Sequence, residues 1–337
     1  MTSPNPASSA QSSGLVPVTI LTGFLGSGKT TLLNHILKAK HGHKIAVIEN
    51  EFGEAGIDNE LLVQDSDEQI VEMNNGCICC TVRGDLVRIL GELADKRKSG
   101  KLSFDHIVIE TTGLADPAPV AQTFFVDDKV MQNYLLDAIV TLVDAKHAPK
   151  QLDEHHEAQE QVGFADRVLL TKTDLVDASD VQALRQRLAR MNPRAKIGES
   201  KNGVAAVDDL LDIRGFNLNA ILDIEPDFLN DVSHEHDDDV TSFVFREDQP
   251  LDLEKLEDML GGMVQVYGAQ MMRYKGILNV ANDPNCIVFQ GVHMLMGADT
   301  GPAWKPNEQR TSKMVFIGRD LPKDLLLKGL AQCIAEA

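Results

Sequence analysis

The sequence predicts an α/β fold with a mostly parallel sheet, followed by a smaller α+β domain, and three observations carry the prediction. From residue 16 to about residue 203, short apolar runs alternate with helical patterns, as in βαβ units. The runs are nearly continuous in Val, Ile and Leu, which strands covered on both faces require. After residue 211 the alternation fades, and strands follow one another with few helices between them, as in an antiparallel sheet.

Taken in order, strands are expected at 16–21, 44–48, 106–109, 138–143 and 167–170, with a strand-like stretch at 69–73. Helices are expected between them at 30–40, 84–96, 151–161 and 180–190. In the second domain, strands are expected at 241–245, 270–280, 286–292 and 313–317, and helices at 251–259 and 321–334. Residues 15–222 and 240–337 thus form two domains. The charged, non-periodic stretch 223–239, which ends in HEHDDD, joins them. A chain of 337 residues suits such a division. Residues 1–14 are rich in Ser, Pro and Ala and read as a disordered tail, not a signal peptide.

The formal charge of −19 argues against nucleic acid or an anionic membrane as a partner, since both select a basic surface. No apolar run approaches the roughly 18 residues of a membrane span. A cytoplasmic location is expected. Five cysteines, an odd number, do not suggest a disulfide framework.

Gly23-Phe-Leu-Gly26-Ser-Gly28-Lys29-Thr30 matches G-x-x-x-x-G-K-[ST], between a strand and a helix. Its glycines let backbone N–H groups curl around phosphate oxygens. The helix N-terminus adds partial positive charge. Lys29 is expected to reach the β- and γ-phosphates, and the Thr30 hydroxyl to hold Mg²⁺. The strand 106–110 ends in Glu110, followed by Thr-Thr-Gly113. Glu110 suits a second acidic group near Mg²⁺, and Gly113 a backbone N–H for the γ-phosphate. The bland reading is an ordinary strand end. Thr171-Lys172-Thr173-Asp174 follows another apolar strand. A carboxylate at Asp174 accepts two hydrogen bonds from guanine, a donor pair that adenine lacks. The lysine stem covers the ring. Alternatively Asp174 caps a following helix.

Cys77, Cys79 and Cys80 form a compact group in Gly76-Cys-Ile-Cys-Cys80. Thiolates are soft ligands that suit Zn²⁺ or Cu(I), and three of them leave one tetrahedral position open. Carboxylates from Glu49-Asn-Glu-Phe-Gly-Glu54 are candidates to complete the shell. Small core residues or a redox site are the other readings. His234 and His236 read as a solvated linker, and His155 and His156 as an exposed helix face. Met259, Met263, Met271, Met272, Met294 and Met296 read as core filling or an adaptable contact surface. Cys286, in a strand, and Cys333, in a helix, read as structural.

The segments GFLGSGKTT, ENEFGE, GCICC, ETTGLADP and TKTD occur in this order, and together they resemble CobW-type P-loop GTPases. Residues 240–320, with RYKGIL, FQGV and MVFIG, are similar to the CobW C-terminal domain. The resemblance implies a P-loop GTPase domain followed by that smaller domain. It implies a GTP-hydrolysing metallochaperone or metal-insertion factor that uses GTP, Mg²⁺ and Zn²⁺ and serves a client metalloprotein. By motif position it assigns Gly23, Gly26, Gly28, Lys29, Thr30 and Thr31 to phosphate, and Lys172 and Asp174 to guanine. Cys77, Cys79, Cys80, Glu49 and Glu54 are assigned to metal. Many members carry a long histidine-rich stretch before the second domain, where this chain has only HEHDDD. High-capacity metal storage is therefore not expected. No arginine finger or water-orienting glutamine is identifiable, which implies slow intrinsic turnover. The cysteines lie between two segments expected to sense the γ-phosphate, so nucleotide state is expected to reshape the metal site. The rival readings are a P-loop kinase or ATPase acting on a small molecule, and a non-catalytic metal buffer.

Overall fold

The computed structural model describes residues 14–39, 41–49, 70–72, 82–201, 203–207, 210–216, 239–305 and 308–335. Most of the expected tail (1–14) and linker (223–239), the cysteines Cys77, Cys79 and Cys80, and Glu54, His234 and His236 lie outside the described residues.

The first unit runs β1 (Val16–Gly23), α1 (Lys29–Lys38), β2 (Ile45–Glu49), β3 (Ile70–Glu72), α2 (Val82–Lys98), β4 (His106–Glu110), α3 (Ala118–Val126), α4 (Asp128–Met131), β5 (Tyr134–Asp144), α5 (Ala148–Glu154), α6 (His156–Phe164), β6 (Arg167–Thr171), α7 (Ala178–Met191) and β7 (Lys196–Ser200). Seven strands form one sheet in the order β3-β2-β4-β1-β5-β6-β7. Every neighbouring pair is parallel. Helices cover both faces. Leu32, Leu33 and Ile36 of α1 pack on one face, and Leu86, Leu90 and Leu93 of α2, with Val120 and Phe124 of α3, on the other. Central β1 is buried along nearly its whole length, so its apolar run shows no alternation.

The second unit comprises β8 (Val240–Glu247), α8 (Leu253–Tyr267), β9 (Met271–Leu278), β10 (Asn285–Val292), β11 (Leu295–Ala303), β12 (Ser312–Arg319) and α9 (Lys323–Ala331). Its five strands are antiparallel in the order β11-β10-β9-β12-β8. Phe243, Tyr274, Phe289 and Phe316 stack over this sheet beneath Leu256, Leu260, Leu326 and Leu330 of the helices.

The structure adds elements that the pattern did not mark. β7 and β11 are edge strands, β7 poor in apolar residues and β11 almost wholly exposed, and neither alternates in hydrophobicity. α3 is apolar nearly all round, and no polar face reveals its period. The single helix expected at 151–161 is two helices, α5 and α6. They are separated at His155, whose backbone is extended (φ −131°, ψ 114°). The His155 ring lies 4.7 Å from that of Phe24, which corrects its reading as an exposed helix face. His156 is exposed and faces Asp239 at 2.9 Å. Helix α9 ends at Ala331, and Cys333 lies in a turn beyond it, buried like Cys286. Met263, Met271 and Met272 fill core, whereas Met294 and Met296 are exposed. Among the described residues no helix is long and apolar enough to cross a membrane.

His106 and Asp137 are buried titratable groups inside the first sheet, linked through Thr19. His106 Nε2 lies 2.9 Å from Thr19 Oγ1, which donates to Asp137 Oδ2 at 3.3 Å. Asp137 also accepts from the backbone N–H groups of Ile213 and Arg214, at 3.1 and 2.7 Å. Burial, reinforced by His43, lowers the His106 pKa from 6.5 to about 3. Burial pushes Asp137 up to about 6 against the pull of its two backbone donors.

These shifts act oppositely on stability. Between pH 6.5 and about 3, unfolded His106 takes up a proton that the folded state refuses, so acid destabilises. Folded Asp137 binds a proton more readily than the unfolded chain from about pH 6 down to 3.8, so acid stabilises there. Replacing His106→Gln removes only the first effect. Denaturant titrations of this variant are expected to lose about 2 kcal/mol less than wild type between pH 7 and pH 5.

Candidate active site

Parallel strands bring their carboxyl ends to one edge, and those predicted site residues that the structure describes gather there. β1 ends at Gly23, beside Leu142 of β5. Gly23 has φ +141°, and a Cβ there would strike the Leu142 carbonyl oxygen and lie 2.8 Å from Ser27 Oγ. The loop then passes through left-handed Gly26 (φ +74°) and Gly28 (φ +98°) into α1. Lys29 folds back over this loop, and its Nζ donates to the carbonyls of Gly23 at 2.8 Å and Phe24 at 3.3 Å. Burial lowers its pKa, while the Glu110 carboxylate pulls the other way.

Thr30 Oγ1 donates to Glu110 Oε1 at 3.2 Å, joining the start of α1 to the end of β4. Thr111 Oγ1 donates to Thr22 Oγ1 at 2.8 Å, which fixes the first residue after β4 against β1. Gly113 sits on the phosphate loop: a Cβ there would lie 2.7 Å from the Leu25 nitrogen and 2.8 Å from its Cα. In register across the sheet, Glu49 adjoins Glu110 and Glu72 adjoins Glu49.

The TKTD segment joins the same loop. Thr171 Oγ1 donates to the Ser27 carbonyl at 2.8 Å. Lys172, in the left-handed region at φ 54°, donates from Nζ to the Gly26 carbonyl at 2.8 Å and to Asp144 Oδ2 at 2.7 Å. Asp144 is buried and also bonds His147 Nδ1 at 2.8 Å. Burial acts to raise the Asp144 pKa, but the hydrogen bonds from Lys172 and His147 outweigh it and hold the carboxyl below its usual range. Asp174 is exposed in a 3₁₀ turn, Thr173–Leu175. The residue at the N-cap of α7 is Asp177, so Asp174 does not cap that helix. Thr31 is exposed and packs against Gly203, another left-handed glycine (φ +76°).

Gly23, Gly26, Gly28, Lys29, Thr30, Thr31, Glu49, Glu110, Gly113, Lys172 and Asp174 are therefore grouped at one edge. The remaining metal candidates, Cys77, Cys79, Cys80 and Glu54, lie outside the described residues. Among the described residues, no three His, Cys, Asp or Glu side chains converge as a metal cage. The sequence reading missed Asp144, although a signal existed. It closes an apolar strand with a carboxylate, as Glu49 and Glu110 do.

Residues 17–199 match the family model for the CobW/HypB/UreG nucleotide-binding domain, and residues 240–334 match the cobalamin synthesis protein CobW C-terminal domain. The chain belongs to the CobW family. It is 43% identical over 310 residues to the zinc chaperone YjiA of Escherichia coli, covering 92% of this chain and 96% of that protein. The zinc-regulated GTPase metalloprotein activator 1 of Schizosaccharomyces pombe is 32% identical, covering 91% and 83% of the two chains. The crystal structure of the Zn(II)-bound YjiA GTPase from E. coli superposes with a TM-score of 0.79 at 37% identity, covering 95% of this chain and 99% of that one. As a CobW-family member, the chain carries its P-loop in the nucleotide-binding domain and ends in the antiparallel CobW C-terminal domain.

The contact at Gly113 is directly testable. Gly113→Ala forces a methyl against the Leu25 backbone. It is expected to cost about 1–3 kcal/mol of stability, measured by chemical denaturation.

Proposed function

We propose that this protein is a GTP-hydrolysing metallochaperone that couples nucleotide state to a zinc cargo held by Cys77, Cys79 and Cys80 with Glu49 and Glu54. The observation that carries the nucleotide half is the 2.8 Å bond from Lys172 Nζ to the Gly26 carbonyl, which joins the base-reading segment to the phosphate loop. The names of the relatives, zinc chaperone and zinc-regulated GTPase, support the metal half. Residues 15–222 are taken as the GTPase domain, 223–239 as the linker and 240–337 as the second domain, in a cytoplasmic protein with an unidentified client metalloprotein.

In this reading Gly23, Gly26, Gly28 and Thr31 wrap the phosphates, and Asp174 accepts the guanine donors while Lys172 covers the ring. Lys29 neutralises the β- and γ-phosphates as water displaces GDP from the γ-phosphorus. The Thr30 hydroxyl and Glu110 carboxylate, 3.2 Å apart, are hard oxygen donors that fit Mg²⁺. When bound there, the ion offsets phosphate charge. Gly113 presents its N–H to the γ-phosphate. Rate then depends mainly on positioning and charge. Glu49 adjoins Glu110 in register, which places a zinc candidate beside a nucleotide candidate and supports coupling between the two.

Three variants test this reading. Lys29→Ala is expected to abolish GTP hydrolysis yet leave zinc binding without nucleotide intact. Asp174→Asn is expected to weaken GTP by about 2–4 kcal/mol, roughly 30- to 1,000-fold, and to improve binding of xanthosine triphosphate. Equal competition by ATP and GTP in the wild type would exclude the base assignment. Replacing Cys77, Cys79 and Cys80 together with serine is expected to remove tight zinc binding and to spare GTP binding. Calorimetric zinc titrations of apo, GDP-bound and GTP-analogue-bound protein are expected to differ by about 5- to 150-fold. Identical affinities in all three states would sink the coupling.

A further inference from the structure

The buried residue Gln161 has no part in the nucleotide contacts above, yet it holds the loop that carries Gly113. Its side chain lies on α6 and is only 1% exposed. Its Nε2 donates to two carbonyls of that loop, Gly113 and Ala115, each at 3.1 Å. The Gln161 backbone is fixed as well, because its carbonyl accepts from Thr141 Oγ1 on β5 at 2.7 Å. A buried amide bridging two backbone acceptors fixes two peptide planes of an otherwise irregular loop, and the loop has little freedom on its other side, where Gly113 abuts Leu25.

The same helix is seated on the second domain. Gln159 Oε1 accepts from the Val240 N–H at 3.1 Å. A Cβ on Gly163 would fall 2.6 Å from Met272 Sδ and 3.2 Å from Val240 Cγ1, so α6 approaches β8 and β9 as closely as glycine permits. The Phe164 carbonyl accepts from Arg273 Nη1 at 2.9 Å. Gln161 therefore faces the Gly113 loop from a helix whose flanking residues face the CobW C-terminal domain.

We infer that Gln161 is a positioning residue for GTP hydrolysis, holding the Gly113 loop in its γ-phosphate-sensing conformation from a helix braced by the C-terminal domain. The inference rests on the GTPase reading above. GDP has no γ-phosphate, so its binding depends on this loop less than turnover of GTP does.

The experiment compares wild type, Gln161→Leu and Gln161→Glu in the full chain, by steady-state GTP hydrolysis, GDP affinity and amide hydrogen exchange of residues 113–116. Gln161→Leu is expected to lower kcat roughly 10- to 100-fold. KM and GDP affinity are expected to stay within about threefold, and the loop amides to exchange faster. Ionised glutamate cannot donate to either carbonyl, whereas the protonated acid can donate to one. Gln161→Glu is therefore expected to regain kcat as pH is lowered from 8 to 6, relative to wild type, and Gln161→Leu is not. Unchanged kcat and unchanged loop exchange in Gln161→Leu would overturn the inference. So would a loss of GDP affinity equal to the loss of kcat, which marks a merely structural role. If Gln161→Leu does not fold, the pH profile of the near-isosteric Gln161→Glu decides. A wild type that hydrolyses no GTP would refute the GTPase reading, and loop exchange would still report on the clamp.

Discussion

The nucleotide edge of this molecule depends on how β1 ends. Gly23 must turn where the Leu142 carbonyl and the Ser27 hydroxyl leave no space for a Cβ, at a φ that L side chains rarely adopt. That turn starts the loop that delivers Lys29 and Thr30 to the first turn of α1. Because all seven strands run parallel, the ends of β2, β4, β5 and β6 reach the same edge and can bond to the loop. Thr30–Glu110 ties α1 to the end of β4, Thr111–Thr22 ties the residue after β4 to β1, and Lys172–Gly26 and Thr171–Ser27 tie the end of β6 to the loop.

Charge is balanced locally at this edge. Lys29 and Lys172 carry positive charge against Glu110 and Asp144, within a protein whose formal charge is −19. Asp144 is buried and meets both Lys172 and His147, so its carboxylate is compensated. Lys29 on the loop suits an anionic ligand, while Glu49, in register beside Glu110, adds further acidity at this edge.

The second domain meets the first through α6, α7 and α3, and through Asp166 just before β6. Arg273 pairs with Asp166 at 2.8 Å, with both side chains 3% exposed, and its guanidinium lies 4.1 Å from the Phe216 ring centroid. Breaking one partner of such a buried pair leaves an uncompensated charge, typically at a cost of about 3–5 kcal/mol. The pair therefore disfavours displacement of the domains without adding great net stability. It also places α6 between the antiparallel sheet and the loop after β4, so one helix contacts both.

The sequence by itself determined what depends on local spacing. Strand interiors are apolar because both faces are covered, so the 16–21, 106–109 and 167–170 runs were legible. The glycines and Lys29 of the phosphate loop, Glu110 at a strand end and the TKTD segment were legible because their chemistry needs fixed neighbours in the chain. Only the tertiary structure decided features that compare distant segments. β7 and β11 form because a neighbouring strand offers free backbone groups at the sheet edge, and their own side chains say little. His155 breaks a helix-like pattern to meet the ring of Phe24. Asp144 and Gln161 gain their places from partners 28 and 48 residues away, a distance over which sequence pattern carries no register.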